Sequence, residues 1–141
     1  MTSIRHALPA LSVLIVEDDK DALKLINLVI AKKFPDTVIR TAGDGRLGVE
    51  LCREQMPDIV VTDINMAEMD GVRMSVEIKA IRPDTRFIVL TGYSDQEHLD
   101  KFRELGASDY IVKPINFKKL FAAIQKCIDE ILQREINADG R

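Results

Sequence analysis

Three carboxylates, a hydroxyl and a lysine stand at the ends of short apolar runs in this chain. Leu14-Ile15-Val16 leads into Glu17-Asp18-Asp19, and Ile59-Val60-Val61-Thr62 leads into Asp63. Phe87-Ile88-Val89-Leu90 ends at Thr91, and Tyr110-Ile111-Val112 ends at Lys113-Pro114. Apolar runs of this length, separated by helical patterns, read as parallel strands buried on both faces. In open sheets of that kind, ligands sit outside the carboxyl ends of the strands. Glu17, Asp18 and Asp63, gathered at one edge, cannot all be ionised together without a cation. A hard divalent ion with oxygen ligands resolves the repulsion, and Mg²⁺ (with Mn²⁺ as the alternative) keeps waters while also binding phosphate. Lys113 is a point charge suited to a phosphate oxygen or to the Asp63 carboxylate. The Thr91 hydroxyl can donate to a newly arrived anion. An aspartate so placed is a nucleophile towards phosphorus, with transfer driven by positioning and charge neutralisation.

Each of these residues taken singly has an ordinary explanation. Asp18 or Asp19 suits the N-cap of a helix starting near Lys20. Thr91 is a β-branched residue in a strand, and Lys113-Pro114 is an ordinary strand exit. Only their joint occurrence, in order and at the ends of the right strands, favours a functional site.

The elements that must position them alternate regularly. Strands are expected at about 11–16, 37–41, 58–62, 86–91 and 109–112, and helices at about 20–33, 44–55, 71–81, 95–105 and 116–136. Leu23, Ile26 and Ile30, with Leu25, Leu28 and Val29, give the first helix a wide apolar stripe. Phe34-Pro35-Asp36, Met56-Pro57-Asp58 and Arg82-Pro83-Asp84 end the first three helices. Gly106 takes the usual glycine position after a helix C-terminus. The alternation argues for a doubly wound α/β sheet. The last helix is long: Ile124, Ile128, Ile131 and Glu135 follow a spacing near 3.5, which is either a coiled-coil start or an overhang.

Bulk properties exclude several classes. The 141 residues, 46% hydrophobic, fit one domain with an ample core. A net charge of −3 with no basic stretch argues against direct nucleic-acid binding. No apolar run approaches the ~20 residues needed to cross a bilayer. Residues 1–10 show no signal-peptide pattern. Cys52 and Cys127 form no metal or redox spacing and read as buried thiols in a reducing cytoplasm.

From about Leu11 to Leu132, the chain resembles the receiver domain of bacterial two-component response regulators. The matching segments are Val13–Asp19, Pro57–Asp63, Met69-Asp70-Gly71, Ile88–Gly92 and Gly106–Pro114. The resemblance implies a flavodoxin-like five-stranded parallel sheet of order 2-1-3-4-5 with five helices. Residues 1–10 would be an extension, 11–132 the receiver domain and 133–141 a helical tail. Asp63 would accept a phosphoryl group from a phosphohistidine on a histidine kinase or histidine phosphotransfer protein. Asp18 would bind Mg²⁺ directly, Glu17 through a water, and the Asn65 backbone carbonyl would be a further ligand beside Asp63. Lys113 and Thr91 would hold the phosphoryl oxygens, helped by backbone N–H groups near Asn65 and Gly92.

Tyr110 matches the aromatic switch that moves when the threonine hydroxyl turns to the phosphate, and the Lys113–Pro114 bond is cis in the family. Asn65 and Tyr93 flank the expected path of the attacking water, with bulky Tyr93 slowing loss of the phosphoryl group. The partner face would comprise the 95–105 helix, the last strand and the last helix; that face or the extended last helix could also join two copies. One departure is Met66-Ala67, where the family commonly has Met-Pro, leaving the 63–71 loop less restricted. On this reading the chain catalyses only its own phosphorylation and dephosphorylation. Two other readings compete. A free-standing Mg²⁺-dependent phosphohydrolase with Asp63 as nucleophile would want an acid where Asn65 stands. A flavin or mononucleotide module would want a glycine-rich turn where Glu17-Asp18-Asp19 stand.

Overall fold

The computed structural model describes residues 10–66, 69–92 and 96–139. Five strands, β1 (Ser12–Val16), β2 (Val38–Ala42), β3 (Ile59–Asp63), β4 (Arg86–Thr91) and β5 (Asp109–Val112), alternate with five helices. These are α1 (Lys20–Lys33), α2 (Gly45–Glu54), α3 (Gly71–Ile81), α4 (Gln96–Glu104) and α5 (Phe117–Asp139). All strand pairings are parallel, in the order β2-β1-β3-β4-β5. This is the doubly wound sheet that the alternation implied, in the flavodoxin-like order that the resemblance implied, with element ends within a few residues of expectation.

Successive side chains of a strand point to opposite faces, and the core divides accordingly. Val13 and Ile15 of β1, Ile59 and Val61 of β3, Ile88 and Leu90 of β4 and Ile111 of β5 share a cluster with α1 and α5. Leu14, Val16, Val60 and Phe87 turn the other way, onto Val49 and Cys52 of α2 and Met74 and Ile78 of α3. A smaller third cluster, Ile64, Val89 and Phe102, joins that second face to α4. Strands clothed on both faces need continuous apolar sequence, which is why the runs do not alternate with polar residues. Both cysteines are free and buried, and burial pushes both thiols above the ordinary range.

Three aspartates start helices on the carboxyl side of the sheet. Asp19 accepts from the N–H groups of Asp21 and Ala22, Asp44 from Leu47 and Asp70 from Arg73. Each satisfies N–H groups left without a partner in the first turn, worth ~1 kcal/mol. Gly106, at φ 76°, closes α4 in the left-handed conformation that glycine tolerates.

One expectation needs correction, and one open alternative narrows. The apolar stripe of α1 is narrower than proposed: Ile26 and Ile30 are buried, but Leu25 is 47% and Leu28 65% exposed. One helix face meets the sheet, and six apolar residues in eight positions wrap beyond it. In α5, Ile124 and Ile131 are buried, and Ile128 packs against the same cluster. The coiled-coil seam at 124–131 is thus occupied by the protein's own sheet. Arg134 continues the attachment with an ion pair to Asp84 at 2.9 Å.

The strand end that carries Asp63 is pressed against α3. The Gly71 N–H donates to the Ile64 carbonyl at 2.8 Å, and a Cβ on Gly71 would overlap the Asp63 carbonyl oxygen. Only glycine permits so close a backbone approach. Gly71→Ala is therefore expected to destabilise the protein by about 1–3 kcal/mol, seen as a lower urea midpoint at unchanged slope. An unaltered midpoint would show that the loop yields freely.

Candidate functional site

Parallel register sets which strand ends meet. Val16 lies opposite Thr62 and Asp63 opposite Leu90, while Thr91 lies opposite Val112. The next residues, Glu17 and Lys113, therefore emerge beside Asp63. Glu17 and Asp63 are both buried, at 2% and 6% exposure, and Asp18 is exposed. One carboxylate oxygen from each of Glu17, Asp18 and Asp63 lies within 4.8 Å of the others. Among the described residues, this is the cluster of acids able to hold a metal ion.

Each carboxylate is held differently. Asp63 accepts from the Ile64 N–H at Oδ1 (2.8 Å) and from Lys113 Nζ at Oδ2 (2.7 Å). Lys113 Nζ also reaches Glu17 Oε1 at 3.6 Å, bridging the two acids. Its backbone is anchored by an N–H bond to the Thr91 carbonyl at 2.8 Å, and the Lys113–Pro114 peptide is cis. Glu17 Oε2 accepts from the Asp19 N–H at 3.2 Å. Asp19 thus has two jobs: its side chain caps α1, and its backbone orients Glu17.

The electrostatics follow from this crowding. Burial pushes Glu17 up to about 7; the nearby Asp63 charge and a hydrogen bond with Asp18 add to that, while the Asp19 N–H and Lys113 oppose it. Burial alone would lower Lys113, but its hydrogen bond to Asp63 and the charges of Asp63 and Glu17 outweigh it and hold it above the ordinary lysine range. Hard oxygen donors, too close to be ionised without a cation, suit Mg²⁺ or Mn²⁺.

Several remaining sequence candidates surround this centre. Thr91 is buried at the end of β4, and its hydroxyl donates to the Gly92 carbonyl at 3.2 Å. Asn65 is exposed two residues beyond Asp63, and Gly92 is half-buried directly after Thr91. Tyr110 is half-buried on β5, opposite Val89 and two positions from the register of Thr91. Tyr93 and Ala67 lie outside the described residues. The residue pattern did not single out Ile64, whose backbone N–H grips Asp63, or Arg103, whose guanidinium carbon sits 5.8 Å from the Tyr110 ring centroid. A backbone donor leaves no mark in residue type. The Arg103 contact joins a helix and a strand through tertiary packing alone.

Residues 13–125 match the family described as response regulator receiver domain. Among curated proteins, the chain is 33% identical to transcriptional regulatory protein ZraR of Escherichia coli strain K12 over 118 residues. That match covers 84% of this chain and 26% of the relative. It is 34% identical to transcriptional regulatory protein PdtaR of Mycobacterium tuberculosis over 131 residues, covering 89% of this chain and 60% of that one. The chain therefore spans between a quarter and about three fifths of the length of these two relatives. Among solved structures, it resembles the N-terminal domain of an uncharacterised protein from Wolinella succinogenes, with a TM-score of 0.81 and 34% identity over 89% of this chain and 99% of that one. A response regulator receiver domain from Clostridium thermocellum gives a TM-score of 0.79 and 27% identity over 85% and 95% of the two chains. The phosphohydrolase reading draws no support from these relatives. With strand order, sheet edge and most of its length in agreement, the chain belongs to the response regulator receiver domain family, whose general function is that of a phosphorylation-dependent signalling switch.

Proposed function

We propose that Asp63 is the phosphoryl acceptor of this switch and that the donor is a phosphohistidine on a histidine kinase or histidine phosphotransfer protein. The observation that carries the reading is the Lys113 ammonium 2.7 Å from Asp63 Oδ2, beside Glu17 and Asp18. An Asp63 oxygen attacks phosphorus, the P–N bond to the donor imidazole breaks, and an acyl phosphate forms on Asp63. The Ile64 N–H keeps the other oxygen in place, so the nucleophile arrives oriented. Lys113 passes from the carboxylate to a phosphoryl oxygen, and the Thr91 hydroxyl leaves the Gly92 carbonyl for another. Glu17, Asp18, Asp63 and the Asn65 carbonyl would hold Mg²⁺, which when bound neutralises charge on carboxylate and phosphoryl oxygens.

Departure of the Thr91 hydroxyl is coupled to movement of Tyr110, which carries the signal to the face formed by α4, β5 and α5. The chain catalyses no turnover beyond its own phosphorylation and dephosphorylation. Residues 11–132 are the switching unit, and 133–139 are the end of α5 beyond it. No described helix is long and apolar enough to cross a membrane.

With Mg²⁺ and acetyl phosphate, the chain is expected to gain one acid-labile phosphoryl group, detected as a mass increase, and Asp63→Asn is expected to gain none. Modification that persists in Asp63→Asn would reject the assignment. A Tyr93→Ala variant is expected to lose its phosphoryl group several times faster than the parent; an equal half-life rejects Tyr93 as a shield.

Glu17 yields a pH prediction. Because burial raises its folded value from 4.5 to about 7, the metal-free folded state binds the proton more tightly than the unfolded chain. The stability this contributes is complete below pH 4.5 and is lost as pH rises through 7, to the extent of about 3 kcal/mol. Mg²⁺ requires the ionised form, so its affinity should rise over the same window and level off above it. Melting curves in chelator from pH 5 to 8, with Glu17→Gln giving a flatter profile, test the first statement. Mg²⁺ titration at each pH tests the second.

A further inference from the structure

Tyr110 sits at the junction of two small assemblies. Its ring packs with Leu105 and Ala107 against the cluster of Ile64, Val89 and Phe102. Ile64 is the residue whose N–H grips Asp63 Oδ1, so the acceptor and the ring meet at the same apolar cluster. On the other side, the Arg103 guanidinium lies over the ring, 5.8 Å from its centroid. Arg103 is oriented by Asp100, one turn earlier on α4, at 3.1 Å. Phe102 is the one buried side chain among the described residues of α4. The neighbouring Arg103 is therefore a second attachment of α4 to the sheet, and it falls on Tyr110.

We propose that Arg103 is a latch: by covering the Tyr110 ring it holds the switch in the position seen here, and so sets how readily the protein converts on phosphorylation. The inference rests on the reading of Tyr110 as the moving residue. Moving the ring away from Arg103 forfeits a cation–π contact, which at an exposed site amounts to roughly a two- to fivefold bias in the equilibrium. The acceptor charge must overcome that bias. Arg103 touches neither Asp63 nor the metal cluster, and acts only through Tyr110.

The test uses the full chain, Mg²⁺ and beryllofluoride as the phosphoryl mimic, with affinity measured by calorimetry and the Tyr110 ring followed by NMR. Arg103→Gln is expected to raise beryllofluoride affinity about two- to fivefold and to move the unliganded ring resonance towards its bound position. Arg103→Lys, which keeps the cation, should recover most of the parent behaviour, and Asp100→Asn should produce a smaller shift in the direction of Arg103→Gln. In a Tyr110→Leu background, Arg103→Gln should have no effect. Equal affinities for parent and Arg103→Gln, or the same gain in both backgrounds, would overturn the latch. A parent whose Tyr110 resonance stays fixed on binding would overturn the switch reading beneath it, and a parent that binds no beryllofluoride would overturn the acceptor assignment.

Discussion

Three carboxylates within 4.8 Å of one another, with two of them buried, form the constraint on which the rest of the site depends. At that spacing each ionised pair repels by ~3 kcal/mol in the effective dielectric of a protein. Two features of the structure ease this repulsion. Lys113 bridges Asp63 and Glu17, and Glu17 binds a proton more tightly than an exposed glutamate would. Both features are provisional by nature, since a divalent cation can displace the proton and a phosphoryl group can attract the lysine. A site held by exchangeable charges responds to a change in charge, as a signalling switch requires.

The surroundings give the two buried acids, Glu17 and Asp63, a single shared cation. Asp58, at the start of β3, is the instructive contrast. Its carboxylate accepts from the Ser12 N–H at 2.8 Å and pairs with Arg82 at 2.9 Å, tying the amino edge of the sheet together. An acid with a cation of its own is a structural tie. Glu17 and Asp63 share one lysine, which leaves them open to further positive charge. The apolar cluster of Ile64, Val89 and Phe102 lies directly behind Asp63 and extends to Tyr110. A close-packed cluster transmits displacement because it has little free volume to absorb it. On the proposed reading, that is how a local charge would reach a distant face.

Much of this was legible in the residues. Apolar runs ending at Glu17, Asp63, Thr91 and Lys113 marked both the strands and the edge where they converge, because a parallel sheet aligns its carboxyl ends. Asp19 was legible as a helix cap, since capping depends on residue type and local position. Local periodicity was less reliable for helix faces. Leu25 and Leu28 looked like core and are exposed, while Ile124, Ile128 and Ile131 of α5, open to a partner on spacing alone, pack into the protein's own core. Periodicity states which residues share a side, but not which neighbour covers them.

By itself, the sequence determined the alternation of strands and helices, the order of the chemical groups and the helix caps, because each depends on residues close together in the chain. The tertiary structure alone decided that Lys113 spans Asp63 and Glu17, that the Ile64 backbone holds Asp63, and that Arg103 covers Tyr110. These contacts depend on distances between elements fixed by packing and register, and no local pattern encodes them. The raised affinity of Glu17 for a proton belongs with them, since burial is a property of the assembled sheet.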